Sequence, residues 1–190
     1  MGLDQYIYRI SKPKLAECVY TSKEIGSMNF NKVSVVDFET NANLFKSLLP
    51  YVVKRDVECE FYDTEKMISD YNLPNNSRIW RYSSNEIELS GTRENGERVS
   101  QVISYEEIDA KYIKTKIQPY YIWKEEEEYY WRKHWDIVDW LEKTMKKTIE
   151  NTGYYKLNKT IIKRLNSKFK CNIPEESATE ESALFYWEWY

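Results

Sequence analysis

His134 is the only histidine of the 190-residue chain, so it is the first candidate for acid–base catalysis. It lies between Tyr130 and Ile137, in a segment whose apolar residues recur every three or four positions. A lone histidine on an apolar helix face is more often a hydrogen-bonded packing residue than a catalyst. The chain also lacks a Gly-x-Ser-x-Gly sequence, which would place a serine nucleophile on a sharp turn. We therefore predict no catalytic residue.

The three cysteines, Cys18, Cys59 and Cys171, are far apart in the sequence. No two of them have the spacing of metal ligands, and an odd number of distant cysteines is typical of reduced thiols. We predict neither a metal nor a cofactor. The lack of a nucleophile, base or metal set favours a binding function over an enzymatic one.

Aromatic residues make up 16% of the chain, with 17 Tyr and 7 Trp. Tyr and Trp bury a large apolar body and keep a polar group, so they serve both cores and recognition surfaces. The five glycines argue against a loop that cradles phosphate, because such loops need close backbone approach.

Charge is segregated towards the end of the chain, although the net charge is only −3. Residues 143–170 contain nine basic residues and one acidic residue, whereas residues 171–190 contain five acidic residues and no basic one. The basic stretch, with Tyr154 and Tyr155 inside it, could hold nucleic acid through phosphate contacts and base stacking. It could equally pair with the acidic tail or form a solvated helix. The acidic segments allow a further alternative, mimicry of a phosphate backbone.

The hydrophobic pattern predicts an α+β protein, a single domain over residues 1–190, with a mostly antiparallel sheet, one long amphipathic helix and several short helices. The predicted strands cover residues 2–10, 33–38, 53–62, 79–82, 86–89, 99–103 and 116–123. The predicted short helices begin near Thr64, Ser104 and Asn158.

The long helix is predicted from about Glu127 to Glu150, with acidic residues at its start, where the helix dipole favours negative charge. Its spacing predicts an apolar face and an opposite charged face. The predicted core residues are Tyr130, Ile137, Leu141 and Met145, and the predicted exposed residues are Asp136, Asp139, Lys143 and Lys146.

The N-terminus lacks a basic region followed by an apolar run, and no segment has about 18 consecutive apolar residues. We therefore expect a soluble, cytoplasmic protein that does not span a membrane.

Two segments resemble a family of small uncharacterised proteins encoded by bacteriophages, prophages and some bacteria. The opening Met1-Gly2-Leu3-Asp4-Gln5-Tyr6-Ile7-Tyr8 is similar to the Met-Gly-Leu-Asp-x-Tyr-x-Tyr start of that family. Tyr130-Trp131-Arg132-Lys133, followed by Ile137 and Trp140, is similar to its second conserved block. The stretch from Asn151 to Tyr155 also resembles the part that follows. The chain departs from the pattern at Val138, where the family usually has His.

The resemblance implies an accessory protein of a mobile element, made in the cytoplasm of a host bacterium. We expect a non-enzymatic anti-defence inhibitor that binds a bacterial immune component, a defence protein or ribonucleoprotein complex, for example an anti-CRISPR protein that binds a CRISPR effector. One alternative is a nucleotide-binding protein that sequesters a signalling nucleotide, and another is a nucleotide-acting hydrolase. The sequence leaves the target and the oligomeric state open.

We expect Asp4 and Arg132 to form an ion pair between the first strand and the long helix, and Trp131, Trp187 and Trp189 to be exposed. The predicted binding residues are Asp4, Tyr6, Trp131, Arg132, Lys133, Tyr154, Tyr155, Trp187 and Trp189.

Overall fold

The computed structural model describes residues 2–175 and 179–190. The strands in these ranges are β1 (Asp4–Ser11), β2 (Tyr20–Thr21), β3 (Phe30–Ser34), β4 (Val53–Tyr62), β5 (Arg78–Arg81), β6 (Glu86–Thr92), β7 (Arg98–Ser104), β8 (Ile113–Arg132), β9 (Tyr155–Lys156) and β10 (Ser182–Trp189). The α-helices are α1 (Ser22–Ser27), α2 (Val35–Thr40), α3 (Ala42–Phe45), α4 (Thr64–Asp70), α5 (Tyr105–Lys111), α6 (Trp135–Met145) and α7 (Lys159–Phe169). A 3-10 helix, Lys46–Tyr51, follows α3. The protein is therefore an α+β protein, as predicted.

The chain forms two compact units. The larger unit comprises residues 1–57 and 118–190, and the smaller unit comprises residues 58–117. One boundary lies within β4 and the other lies within β8. This division does not test the prediction of a single domain, because a compact unit need not fold on its own.

The sheet of the larger unit has the strand order β2-β4-β8-β1-β10-β9, and β3 also pairs with β8. Strand β1 lies between β8 and β10 and is antiparallel to both. All eight residues of β10 pair with β1. The aromatic residues of β10 are therefore held within their own unit, in an interior strand of its sheet.

The two faces of this sheet are covered differently. On one face, Ile7, Leu184 and Tyr186 pack with Ile162 and Leu165 of α7, and with residues of α6, in one core cluster. On the opposite face, Ile10 and Phe185 pack with Phe38, Leu48 and Tyr51 in a second cluster. That second cluster covers one end of the opposite face, and the residues nearer the start of β1 extend beyond it.

The smaller unit contains the antiparallel sheet β5-β6-β7. Its core includes Met67, Leu89 and Ile108, which come from α4, β6 and α5. Ser104 caps α5 by accepting a hydrogen bond from the Glu107 backbone N–H at 3.2 Å, which confirms the predicted cap. The strands predicted over residues 79–82 and 86–89 are confirmed as β5 and β6, which pair antiparallel.

The predicted long helix is wrong in its first third. Residues up to Arg132 belong to β8, and the helix begins at Trp135 and ends at Met145. Tyr130 is therefore a strand residue with 41% of its surface exposed, and its prediction as a core residue is wrong. The physical reason is pairing with β1, in which Gln5 lies opposite Trp131 and every second side chain faces the helices.

The predicted helix is also wrong at its end, since residues 146–150 lie beyond α6, but between Trp135 and Met145 its predicted pattern is confirmed. Ile137 and Leu141 are fully buried, and Met145 is half-buried. The predicted charged residues, Asp136, Asp139, Lys143 and Lys146, are exposed.

The strand predicted over residues 33–38 is also wrong in its second half. Ser34 accepts a hydrogen bond from the Asp37 backbone N–H at 3.0 Å and so begins α2. By contrast, α7 occupies residues 159–169 with Asn158 as its cap, as predicted.

Candidate binding surface

Four aromatic side chains lie together on the sheet face opposite α6 and α7. We call Tyr6, Tyr8, Tyr130 and Trp187 the aromatic platform. Tyr6 lies opposite Trp187 of β10 and Tyr130 of β8, because β1 pairs with both strands. The ring centre of Tyr6 is 4.9 Å from that of Tyr130 and 5.6 Å from that of Trp187. The rings of Tyr6 and Tyr8 are nearly parallel, with centres 5.2 Å apart.

The platform is accessible to solvent. Tyr130 is exposed, and the other three rings are half-buried because they pack against one another. Trp189, with 56% of its surface exposed, continues the same side of β10 and lies opposite Asp4. Adjacent aromatic rings at these separations form a rigid apolar surface that needs little further ordering on binding.

Charged side chains surround the platform. Asp4 Oδ1 accepts a hydrogen bond from the Tyr130 hydroxyl at 2.6 Å and lies 3.9 Å from Arg132 Nε. Burial raises the pKa of Tyr6, and the negative charges of Asp4 and Glu127 raise it further. The tyrosines therefore remain neutral hydrogen-bonding groups near neutral pH.

A largely buried carboxylate supports the platform. Glu125 Oε1 accepts hydrogen bonds from the Tyr154 hydroxyl at 2.6 Å and from Trp123 Nε1 at 2.7 Å. Burial raises the pKa of Glu125, and these hydrogen bonds partly offset that effect. The ring of Tyr154 lies 6.5 Å from that of Trp187, so this network fixes one side of the platform.

The structure brings together several of the predicted binding residues on this surface: Asp4, Tyr6, Arg132, Trp187 and Trp189. The predicted ion pair of Asp4 and Arg132 is present, but it joins two neighbouring strands rather than a strand and a helix.

Other predicted residues lie elsewhere. Trp131 packs in the core beside α6 with 7% of its surface exposed, so its predicted exposure is wrong. Tyr155 is buried, and its hydroxyl accepts a hydrogen bond from the Glu150 backbone N–H at 2.6 Å. Tyr154 lies on the same side of the sheet as the platform and supports it beside Trp187. Lys133 is exposed just beyond β8, with a positive φ of 61°.

Sequence reasoning missed Tyr8, Tyr130 and Glu127 as members of this surface. Tyr8 alternates with Ile7 in β1, and that alternation was a usable signal. The sequence predicts Tyr130 in a helix core, whereas its place depends on pairing with a strand more than 120 residues away.

The predicted basic stretch, residues 143–170, lies outside the platform. Its helix α7 packs on the other side of the sheet, since Ile162 and Leu165 share a core cluster with Ile7. Lys163 Nζ lies 3.6 Å from Glu175 Oε2, a contact between the basic stretch and the acidic tail. Glu176, which also belongs to the acidic tail, lies outside the described residues.

His134 lies at the start of α6 with its side chain largely exposed, and Nδ1 is 3.7 Å from Asp136 Oδ1. It is therefore not the packing residue that the sequence predicted. Among residues 2–175 and 179–190, no group of three or more His, Cys, Asp or Glu side chains could hold a metal ion. Within the same residues, every helix is too short or too polar to cross a membrane.

Comparisons of the chain with family models, with curated proteins and with solved structures give no match.

Proposed function

We propose that this protein is a non-enzymatic binding protein and that the aromatic platform contacts a protein partner. With the resemblance to phage and prophage proteins, the proposed role is inhibition of a bacterial immune component in the host cytoplasm, as an anti-CRISPR protein inhibits its effector. The observation that carries the proposal is the group of four adjacent rings on an accessible sheet face, with Arg132 at its edge.

The residue types of this surface support a protein interface. Tyr, Trp and Arg are enriched among the residues that contribute most to binding energy, because they remove large areas from water at low entropic cost. The rings already pack on one another, so binding would not have to order them.

The charges around the platform favour a basic partner surface. Asp4 and Glu127 act on the platform tyrosines. Arg132 is the basic residue in contact with this group. Negative charge at the rim repels phosphate, so this surface supports a signalling-nucleotide sponge less well than a protein partner with Lys or Arg. Nucleic-acid binding through the basic stretch is a separate proposal.

The test is a titration in bacteria that carry a defence system inhibited by this protein. Inhibition should saturate near one protein per effector complex, and the effector should co-purify with the protein. Complete inhibition at about a hundredth of that ratio would indicate turnover and contradict the proposal. Nucleotide released from the purified protein by denaturation would instead support the sponge.

Variants locate the surface. Tyr130→Ala and Trp189→Ala should each weaken partner binding by about tenfold or more, as expected for interface aromatic residues. Trp80→Ala and Tyr82→Ala are matched controls, because these exposed aromatic residues lie in the smaller unit. Equal effects from both pairs would exclude the platform as the binding surface.

A further inference from the structure

The outward face of α7 is basic along its whole length. Ile162 and Leu165 are buried against the sheet, while the charged residues on the other sides of the helix are exposed. These exposed basic residues are Lys159, Lys163, Arg164, Lys168 and Lys170.

The helix dipole accounts for only part of this pattern. Lys168 and Lys170 lie at the C-terminal end, where the dipole favours positive charge. Lys159, Lys163 and Arg164 lie in the first half of the helix, and the first turn contains no acidic residue. Positive charge in the first turn of a helix is unfavourable, so Lys159 does not stabilise α7 through the dipole, and Lys163 and Arg164 lie beyond the turn on which the dipole acts. Glu175 contacts Lys163, but both side chains are about half exposed and the pair is weak in water.

An aromatic pair lies beside these cations. The guanidinium carbon of Arg164 is 5.6 Å from the ring centre of Trp140, which packs edge-on against Phe169 with ring centres 5.7 Å apart. Both rings are half-buried. Rows of Lys and Arg beside aromatic rings are the combination by which proteins bind single-stranded nucleic acid, through phosphate contacts and base stacking.

We propose that α7 with Trp140 is a binding surface for single-stranded nucleic acid. The cation that is unfavourable at the start of the helix, Lys159, becomes favourable when a phosphate neutralises it, and Lys163, Arg164 and the adjacent rings offer further contacts to phosphates and bases. This surface lies on the opposite side of the sheet from the aromatic platform. The two proposals therefore stand or fall separately.

The experiment is fluorescence anisotropy of the full chain with a labelled single-stranded 30-mer of mixed sequence, at several salt concentrations between 50 and 200 mM. The variant Lys159→Gln/Lys163→Gln/Arg164→Gln removes the three cations in the first half of α7. We expect its affinity to fall by at least about tenfold at 50 mM salt. Because each neutralised phosphate contributes about 0.7 to the salt slope for single strands, we expect the slope of log K against log salt to fall by about 2.

The matched control is Lys12→Gln/Lys14→Gln/Lys23→Gln, which removes the same charge from exposed lysines elsewhere in the larger unit. It should keep the affinity within about threefold. If the triple variant of α7 proves unstable, Lys159→Gln alone should lower the slope by about 0.7.

Three results would overturn the proposal. One is the absence of binding at 50 mM salt, and another is an equal loss in the control variant. The third is displacement of the oligonucleotide by poly-glutamate at the same charge concentration, which would make α7 a surface for acidic polypeptides.

Discussion

The hydroxyl of Tyr186 donates a hydrogen bond to Oε2 of Glu188 at 2.5 Å, and both side chains lie in the interior of the larger unit. Gln5 Nε2 donates to the same tyrosine oxygen at 2.7 Å. Burial raises the pKa of Glu188, and the negative charge of Glu142 raises it further, whereas the Tyr186 hydrogen bond partly offsets both effects. The folded protein therefore favours the protonated carboxyl more than the unfolded chain does.

This relationship predicts a pH dependence of stability. A raised folded pKa contributes stability that is complete below the unfolded value, about 4.5, and is lost as the pH rises through the folded value. Glu188→Gln has no charge to bury. Its unfolding free energy minus that of the wild type should therefore increase as the pH rises from about 4 towards neutrality, as measured by urea unfolding at each pH.

A control of opposite sign is Glu24, whose pKa is lowered by hydrogen bonds from the backbone N–H and hydroxyl of Thr21. A lowered folded pKa contributes stability that is lost as the pH falls. The unfolding free energy of Glu24→Gln minus that of the wild type should therefore decrease as the pH rises. A flat profile for Glu188→Gln would show that Glu188 is not stabilised in its protonated form.

The second prediction concerns the two faces of α6. Leu141 is fully buried in the core cluster, so Leu141→Ala should lower the unfolding free energy by about 2–5 kcal/mol. Asp139 is exposed, and Asp139→Ala should change it by less than about 0.5 kcal/mol. Equal losses in chemical unfolding would contradict the observed helix face.

The third prediction compares two ion pairs between β1 and β8. Arg132 Nε is 3.9 Å from Asp4 Oδ1, and 68% of the Arg132 side chain is exposed. Arg9 Nε is 2.5 Å from Glu128 Oε1, and both side chains are mostly buried. A double-mutant cycle should give less than about 1 kcal/mol for Asp4 and Arg132, well below the few kcal/mol expected of a buried pair.

The same cycle applied to Arg9 and Glu128 should give a larger coupling energy, because the loss of one partner leaves a mostly buried charge. Equal coupling energies for the two pairs would contradict the expectation that solvent screening weakens the exposed pair.

The fourth prediction concerns β10. A chain that ends after Ser182 lacks the strand that pairs with all of β1, so it should lose the near-ultraviolet circular dichroism and cooperative unfolding of the larger unit. Removal of Tyr190 alone is the control, since β10 ends at Trp189. Native spectra from the shorter chain would show that the sheet forms without its interior strand.

Local signals predicted the elements that depend on local chemistry. The Asn158 cap predicted the start of α7, Ser104 predicted the start of α5, and the three-and-four spacing predicted the buried face of α6. The error at residues 127–132 arose because four consecutive glutamates are typical of a helix start. Their strand conformation depends on pairing with β1, which no local pattern contains.

The sequence predicted only part of the candidate surface, because the rest of it also depends on strand pairing. Asp4 and Tyr6 alternate along one strand, and this period is visible in the sequence. Neighbouring side chains of a strand point to opposite faces. Trp131 is therefore buried and Tyr130 exposed, the reverse of what was predicted for each. Strand β10 showed no alternation to detect, since both of its faces are covered along most of its length.

The place of β10 has a consequence for synthesis of the protein. Strand β1 is translated long before one of its two neighbours, which consists of residues 182–189. While the ribosome is still adding earlier residues, that edge of β1 has no partner in the native sheet, and its backbone groups remain open to other strands. The larger unit is therefore completed only once β10 has been made, and until then this strand edge can pair with other strands.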